Sequence, residues 1–316
     1  MFRTALLALG VVLMFAASLP AAEITAQRSE KGVTVKIDGQ LFTEYLVRSG
    51  SKPVLWPIIG PTGKPVTRAY PMETGTKETK DHPHQRSLWF THGSVNGVDF
   101  WAEGAGKSGT EQHREFVQVT SGPTAIVVTR NDWLDPKGKK VCEDQRTLTF
   151  GTDGDARWID FDITIRASDG PLAFGDTKEG TFAVRVAETI CVTSKHGGRI
   201  VNSKGQVDGA AWGKPAEWVD YYGPVDGQVV GIAILNHPNS FRSPTYWHVR
   251  TYGLFAANPF GLKDFTKGEK QGDHALPADG SLSLCYRVLL HRGDEKEGKI
   301  AEAFAAYSKA PKASGK

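Results

Sequence analysis

The stretch Trp158-Ile159-Asp160-Phe161-Asp162-Ile163-Thr164-Ile165 decides the fold class. It alternates with a period of two. Ile159, Phe161, Ile163 and Ile165 fall on one face and Asp160, Asp162 and Thr164 on the other, the pattern of a half-buried strand. Outward from it, β-type runs recur at Phe116 to Thr120, Ala125 to Thr129, Arg146 to Phe150, Thr181 to Val186, Val229 to Leu235, Tyr246 to Phe255 and Leu282 to Leu290, separated by Gly, Pro and Asp. Near the start, Val33 to Ile37 and Leu41 to Val47 flank Asp38-Gly39, a dipeptide suited to the positive φ angles of a tight hairpin. Only Glu297 to Lys309 has helical spacing, with Ile300, Phe304 and Tyr307 on one stripe. Strands in this number without alternating helices predict an all-β chain, a large antiparallel two-sheet β-sandwich with a C-terminal helix.

The 316 residues are 40% hydrophobic and 23% charged, which excludes intrinsic disorder and a coiled coil. A net charge of +3, scattered along the chain, offers no basic face for nucleic acid, so a small-molecule or oligosaccharide partner is expected instead. Met1 to Arg3 give a short positive start, Ala5 to Leu19 an uncharged run and Pro20-Ala21-Ala22 a small-residue end. Residues 1–22 therefore read as a signal peptide, and a periplasmic or secreted location is expected. No later stretch approaches the roughly 20 apolar residues that span a bilayer, so no membrane span is expected after cleavage. Residues 23–316 show no composition break and read as a single domain. Cys142, Cys191 and Cys285 lie far apart among apolar neighbours and are expected to be buried thiols; the sequence leaves their pairing open. Gly-rich phosphate loops, His-Glu-x-x-His and Gly-x-Ser-x-Gly are absent.

Reactive polar residues concentrate in four segments. In Asp81-His82-Pro83-His84-Gln85-Arg86-Ser87-Leu88-Trp89-Phe90-Thr91-His92, an extended backbone would put His82, His84 and Arg86 on one side, suited to an acid/base pair, a metal pair or an anion cradle. Gly175 to Gly180 carries Lys178 and Glu179 at a strand entrance. Trp218 to Gly223 contributes Asp220 and Tyr221 from an aromatic cluster of the kind that stacks on sugar rings. Finally, His237 precedes a strand on which His248, Arg250 and Tyr252 share a face, ending at Asn258. Burying such a face unpaired costs several kcal/mol, so it is expected to line a polar pocket.

The segments His82 to Phe90 with Asn96 to Trp101, Asp176 to Gly180, and Trp247 to Arg250 with Tyr252 to Phe260 resemble those of an exported bacterial family of unknown function labelled PmoA-like or "methane oxygenase PmoA". The likeness extends over nearly all of residues 23–316, with Gln85 where a third His is common and Thr251 where an Asp is common. An oxygenase subunit of the membrane type would need several spanning helices, which the chain does not supply. Members of the family tend to accompany sugar-degrading enzymes, which implies a carbohydrate ligand, and the His-x-His near Gly and Trp is similar to the sugar-binding strands of aldose mutarotases.

The resulting expectation is a mutarotase-like supersandwich performing acid/base chemistry on a sugar, of epimerase, lyase or hydrolase type. His82, His84 and His248, with Glu179 or Lys178, would carry protons. Arg86 and Arg250 would hold an anionic oxygen, and Trp89, His92, Asp220, Tyr221, His237, Tyr252 and Asn258 would bind or orient the ring. No cofactor is required by this scheme. A divalent metal on His82, His84 and either His237 or His248 is the alternative for an enzyme, and a non-catalytic glycan-binding module the alternative without turnover.

Overall fold

In the computed structural model, residues 22–312 except Ala105 are described; the leader expected at residues 1–22 lies, apart from Ala22, outside them. The alternation that opens the sequence reading is realised in strand Ala156–Arg166, where Ile159, Phe161, Ile163 and Ile165 are each at most 1% exposed. Asp160 faces the other way and meets Arg287 and Lys312. All strand pairings within the sheets are antiparallel, and the eighteen strands of the described residues fall into two sheets of eight and one of two.

Across the first sheet the order is Ile24–Ser29, Gly32–Ile37, Gln40–Ser49, Lys52–Leu55, Leu88–His92, Gly180–Arg185, Leu254–Asn258 and Tyr246–Val249. Across the second it is Arg199–Asn202, Trp218–Val225, Gln228–Asn236, Ser281–Arg292, Ala156–Arg166, Lys140–Asp153, Ala125–Leu134 and Thr110–Thr120. Leu172–Phe174 and His274–Leu276 form the small sheet. At the first hairpin Asp38 and Gly39 have φ of 48° and 77°, the geometry expected of a two-residue turn.

The two large sheets bury a common apolar interior. Phe182 of the first sheet sits 4.8 Å from Phe161 and stacks 4.7 Å from Tyr286, both of the second, so aromatic rings interlock across the sandwich. The interior also holds Arg146, 1% exposed, ion-paired with Asp144 and Glu111. Trp133 Nε1 and Asn131 Nδ2 donate to the same Asp144 carboxylate, so its lone pairs are used.

Two expected elements differ. Tyr246 to Phe255, read as one strand, is a hairpin of Tyr246–Val249 and Leu254–Asn258, turned at Arg250–Gly253 with Gly253 at φ 105°. The C-terminal helix is shorter than read, Ile300–Tyr307, and packs Ile300 and Tyr307 against Trp218, Leu235 and Leu289 outside the second sheet. No disulfide joins Cys142, Cys191 and Cys285; all are buried, and burial pushes their thiol pKa values up. Among the described residues no helix is long and apolar enough to cross a membrane.

Candidate functional site

The site is laid out by one row of paired residues across the first sheet: Leu46, Val54, Trp89, Ala183, Ala256 and His248 face one another strand by strand. Paired residues share a face, so this row lies on the side away from the common interior. There it forms a second apolar cluster with Trp101 and Leu254, against which Tyr252 and Trp56 also pack. Small side chains at 183 and 256 leave room for the large rings of Trp101 and Tyr252.

Over this cluster opens a cleft of about 540 Å³. Segments far apart in the chain meet in it: His82 and His84, then Asp99 and Trp101, then Lys178 and Glu179, then His248, Arg250 and Tyr252. The His82 and His84 rings are 5.8 Å apart, edge to face, and His82 stacks on Tyr252 at 5.4 Å with an interplanar angle of 10°. The His84 ring lies 6.3 Å from Trp101.

Each imidazole has a definable state. Burial holds His248 at a pKa of about 4, helped by the neighbouring positive charges of Arg250 and Lys178. Its Nδ1 lies 2.8 Å from the Lys178 carbonyl, which can only accept, so Nδ1 carries the proton. Neutral His248 therefore keeps the Nε2 lone pair free. Burial, with Lys52 next, likewise pushes His84 down to about 4. His82 Nδ1 is 3.0 Å from an Asp81 carboxylate oxygen and so also carries its proton. Asp81 is itself gripped by Arg68 and Arg185, the latter at 2.9 Å. Against the partial burial that would raise it, these guanidiniums and His82 keep Asp81 below the usual carboxylate range.

Several residues expected at the site lie elsewhere. The segment 81–87 is not extended: His82 and Ser87 have φ of 41° and 50°, so alternation fails and Arg86 turns away to a bidentate pair with Glu103, at 2.9 and 2.7 Å. Trp89 is 1% exposed beneath the cleft, in the row described above. His92 is buried, donates Nε2–H to the Gly175 carbonyl at 2.8 Å and packs on Phe260; burial takes it down to about 4. Asp220 is buried on the second sheet, accepting from His291 at 3.0 Å. Tyr221 is interior, but its hydroxyl donates to the Thr251 carbonyl at 2.9 Å and so props the turn bearing Arg250 and Tyr252. His237 is buried beside Tyr307, accepting at Nδ1 from the Asn239 amide.

Asn258 is fully buried and brackets two loops. Its Nδ2 donates to the Thr177 and Lys178 carbonyls, both at 3.0 Å, and its Oδ1 accepts from the Phe260 and Gly261 amides at 2.8 and 3.1 Å. It positions the carbonyl that fixes His248 rather than touching a ligand. Among the described residues no three His, Cys, Asp or Glu side chains converge as a metal-holding set, so the ligand set expected from His82, His84 and His237 or His248 is not assembled. Asp81, Arg185, Asp99 and Trp101 are participants to which the sequence pattern assigned no role at the site; Asp81 directly preceding His82 was the available signal for one of them.

A profile for a family of unknown function, DUF6807, matches residues 32–305. The chain belongs to that family. No curated protein matches its sequence. Among solved structures it is similar to a galactose mutarotase-like protein from Clostridium acetobutylicum, at 9% identity and a TM-score of 0.42, covering 85% of this chain and 98% of that one. It is also similar to a polysaccharide lyase, at 13% identity and a TM-score of 0.32, covering 88% of this chain and 34% of that one. An α-galactosidase from Lactobacillus brevis is similar at 11% identity and a TM-score of 0.36, covering 87% of this chain and 40% of that one.

Proposed function

We propose that the cleft binds a sugar and moves protons on it, with His248 and His84 as neutral proton acceptors and Asp81-oriented His82 as the facing proton carrier. The observation that carries this reading is the His248 imidazole: its Nδ1–H is committed to a backbone carbonyl, while its Nε2 is left as a base on the cleft wall. A base must be unprotonated to act, and a pKa of about 4 keeps His248 so at neutral pH. The rings of Trp101 and Tyr252 floor the cleft, whose volume falls in the range of roughly 300–1,000 Å³ usual for small-ligand sites. The epimerase, lyase and hydrolase types all draw on such an acid/base pair. On this reading residues 23–316 act as one exported domain in the periplasm or outside the cell, and the PmoA-like resemblance denotes kinship with that family and no oxygenase chemistry.

Screening the protein against mono- and oligosaccharides by calorimetry and by NMR of the products tests the reading. Loss of turnover on a bound sugar in His248→Ala and His82→Ala, with the fold retained, is expected. Undiminished turnover in both variants would remove the proton-transfer scheme. Sugar binding without turnover in any protein form would leave a glycan-binding module as the account.

A further inference from the structure

The positive charges around the cleft are unequally committed. Arg68 and Arg185 pair with Asp81, and Arg86 with Glu103. Arg250 is exposed and has no carboxylate partner among the described residues. Its guanidinium lies instead between the rings of Trp212 and Tyr252, 5.9 and 5.7 Å from their centroids. Stacking on aromatic faces holds a guanidinium in place and leaves its N–H edge to a ligand.

The backbone carrying Arg250 is fixed: its amide donates to the Leu254 carbonyl at 2.7 Å, and its own carbonyl accepts from Gly253 at 3.0 Å. The two carboxylates lining the cleft have partners within it, neither of them Arg250. Asp99 accepts from the Trp101 and Ala102 amides at 2.8 and 3.0 Å, and Glu179 faces Lys178 at 3.6 Å. Lys178 is a second cation on the same wall, with Asp264 no nearer than 4.0 Å.

We propose that the sugar taken by this cleft is acidic, bearing a carboxylate or sulfate oxyanion that the Arg250 guanidinium receives with Lys178 beside it. The proposal rests on the sugar reading of the site and adds the substrate class to it. A planar guanidinium offers two parallel N–H bonds to such a group, which an ammonium cannot. An oxyanion seated there would also offset part of the positive field that holds His248 neutral, coupling occupancy of the cleft to the basicity of its imidazole.

Calorimetric titration of the protein with three sugars in each of the gluco, galacto and manno series tests this: the uronate, the hexose 6-sulfate and the uncharged parent hexose. In at least one series an acidic sugar is expected to bind roughly tenfold or more tightly than its parent, the scale of one charge-assisted pair. Its identity tells carboxylate from sulfate. Arg250→Met is expected to bring the acidic-to-neutral affinity ratio close to one, Arg250→Lys to keep part of it, and added salt to shrink it in the wild type. Equal affinity for acidic and neutral sugars overturns this proposal and leaves the sugar reading standing, as does a preference that survives in Arg250→Met. Binding of no sugar in any series overturns both.

Discussion

Replacing Asn258 with alanine separates a bracket from a ligand-orienting side chain. The wild-type amide makes four hydrogen bonds to backbone groups in a fully buried setting. At about 1 kcal/mol net for each bond, and with the partners left without water, the loss comes to about 4 kcal/mol; relaxation of the 175–180 loop to admit water brings it to about 3–4 kcal/mol. The damage should extend beyond stability. The Lys178 carbonyl that Asn258 holds is the acceptor for His248 Nδ1, a bond that favours the protonated ring, so its release should let His248 sample both tautomers and lower its pKa from about 4. Urea unfolding at neutral pH measures the first effect, as a shift in midpoint at constant slope. Nitrogen-15 NMR of the imidazoles, titrated from pH 3 to 8, measures the second. A loss below about 1 kcal/mol, or a His248 resonance that keeps its tautomer and its pKa, would refute the bracket argument.

Acid should destabilise the protein through the same imidazole. The folded pKa of His248 lies below the ordinary 6.5, so the unfolded chain takes up a proton that the folded chain refuses, and stability present above about pH 6.5 is lost as pH falls toward 4. Histidine-248 to glutamine (His248→Gln) cannot make that exchange, and its unfolding free energy should fall less over this window, by up to about 3 kcal/mol; a profile parallel to wild type counts against the assignment. Trp89→Ala removes the central ring of the outer apolar cluster and should cost about 3–5 kcal/mol by thermal or urea unfolding, with a change in Trp101 fluorescence as its contact is lost. Arg146→Met strands Glu111 and Asp144 in the interior without their guanidinium and should cost about 3–5 kcal/mol by urea unfolding at neutral pH; a cost below about 1 kcal/mol argues against a charged network. A thiol reagent should find no rapidly reacting cysteine in the native protein and three in denaturant.

Much of the architecture was legible because strand periodicity reports burial directly. Ile159 to Ile165 and the Asp38-Gly39 turn are local patterns, and they hold in place. The Tyr246 to Phe255 run misled because hydrophobic character continues on both sides of a turn that only Gly253 marks. His82, His84 and Arg86 were grouped by parity, yet positive φ angles at residues 82 and 87 break the parity, and no alternation rule foresees them. Trp89 and His92 lie in the same polar-looking segment, but all five residues of Leu88–His92 are buried because that strand is central in its sheet, a fact of pairing order that a single sequence does not display. The role of Arg185 was hidden for a related reason: its partners, Asp81 and Gln85, lie about a hundred residues upstream.

The origin of the cleft walls has a consequence for how relatives of this chain can differ. Of the side chains named on those walls, only His248 belongs to a strand; the others stand on the connections near residues 81–86, 99–102, 178–179 and 250–252. Loops tolerate insertion and drift that paired strands do not. A change of length in any of these four connections would therefore reshape the cleft wall without disturbing the paired strands beneath, whereas the imidazole of His248 moves only with its strand.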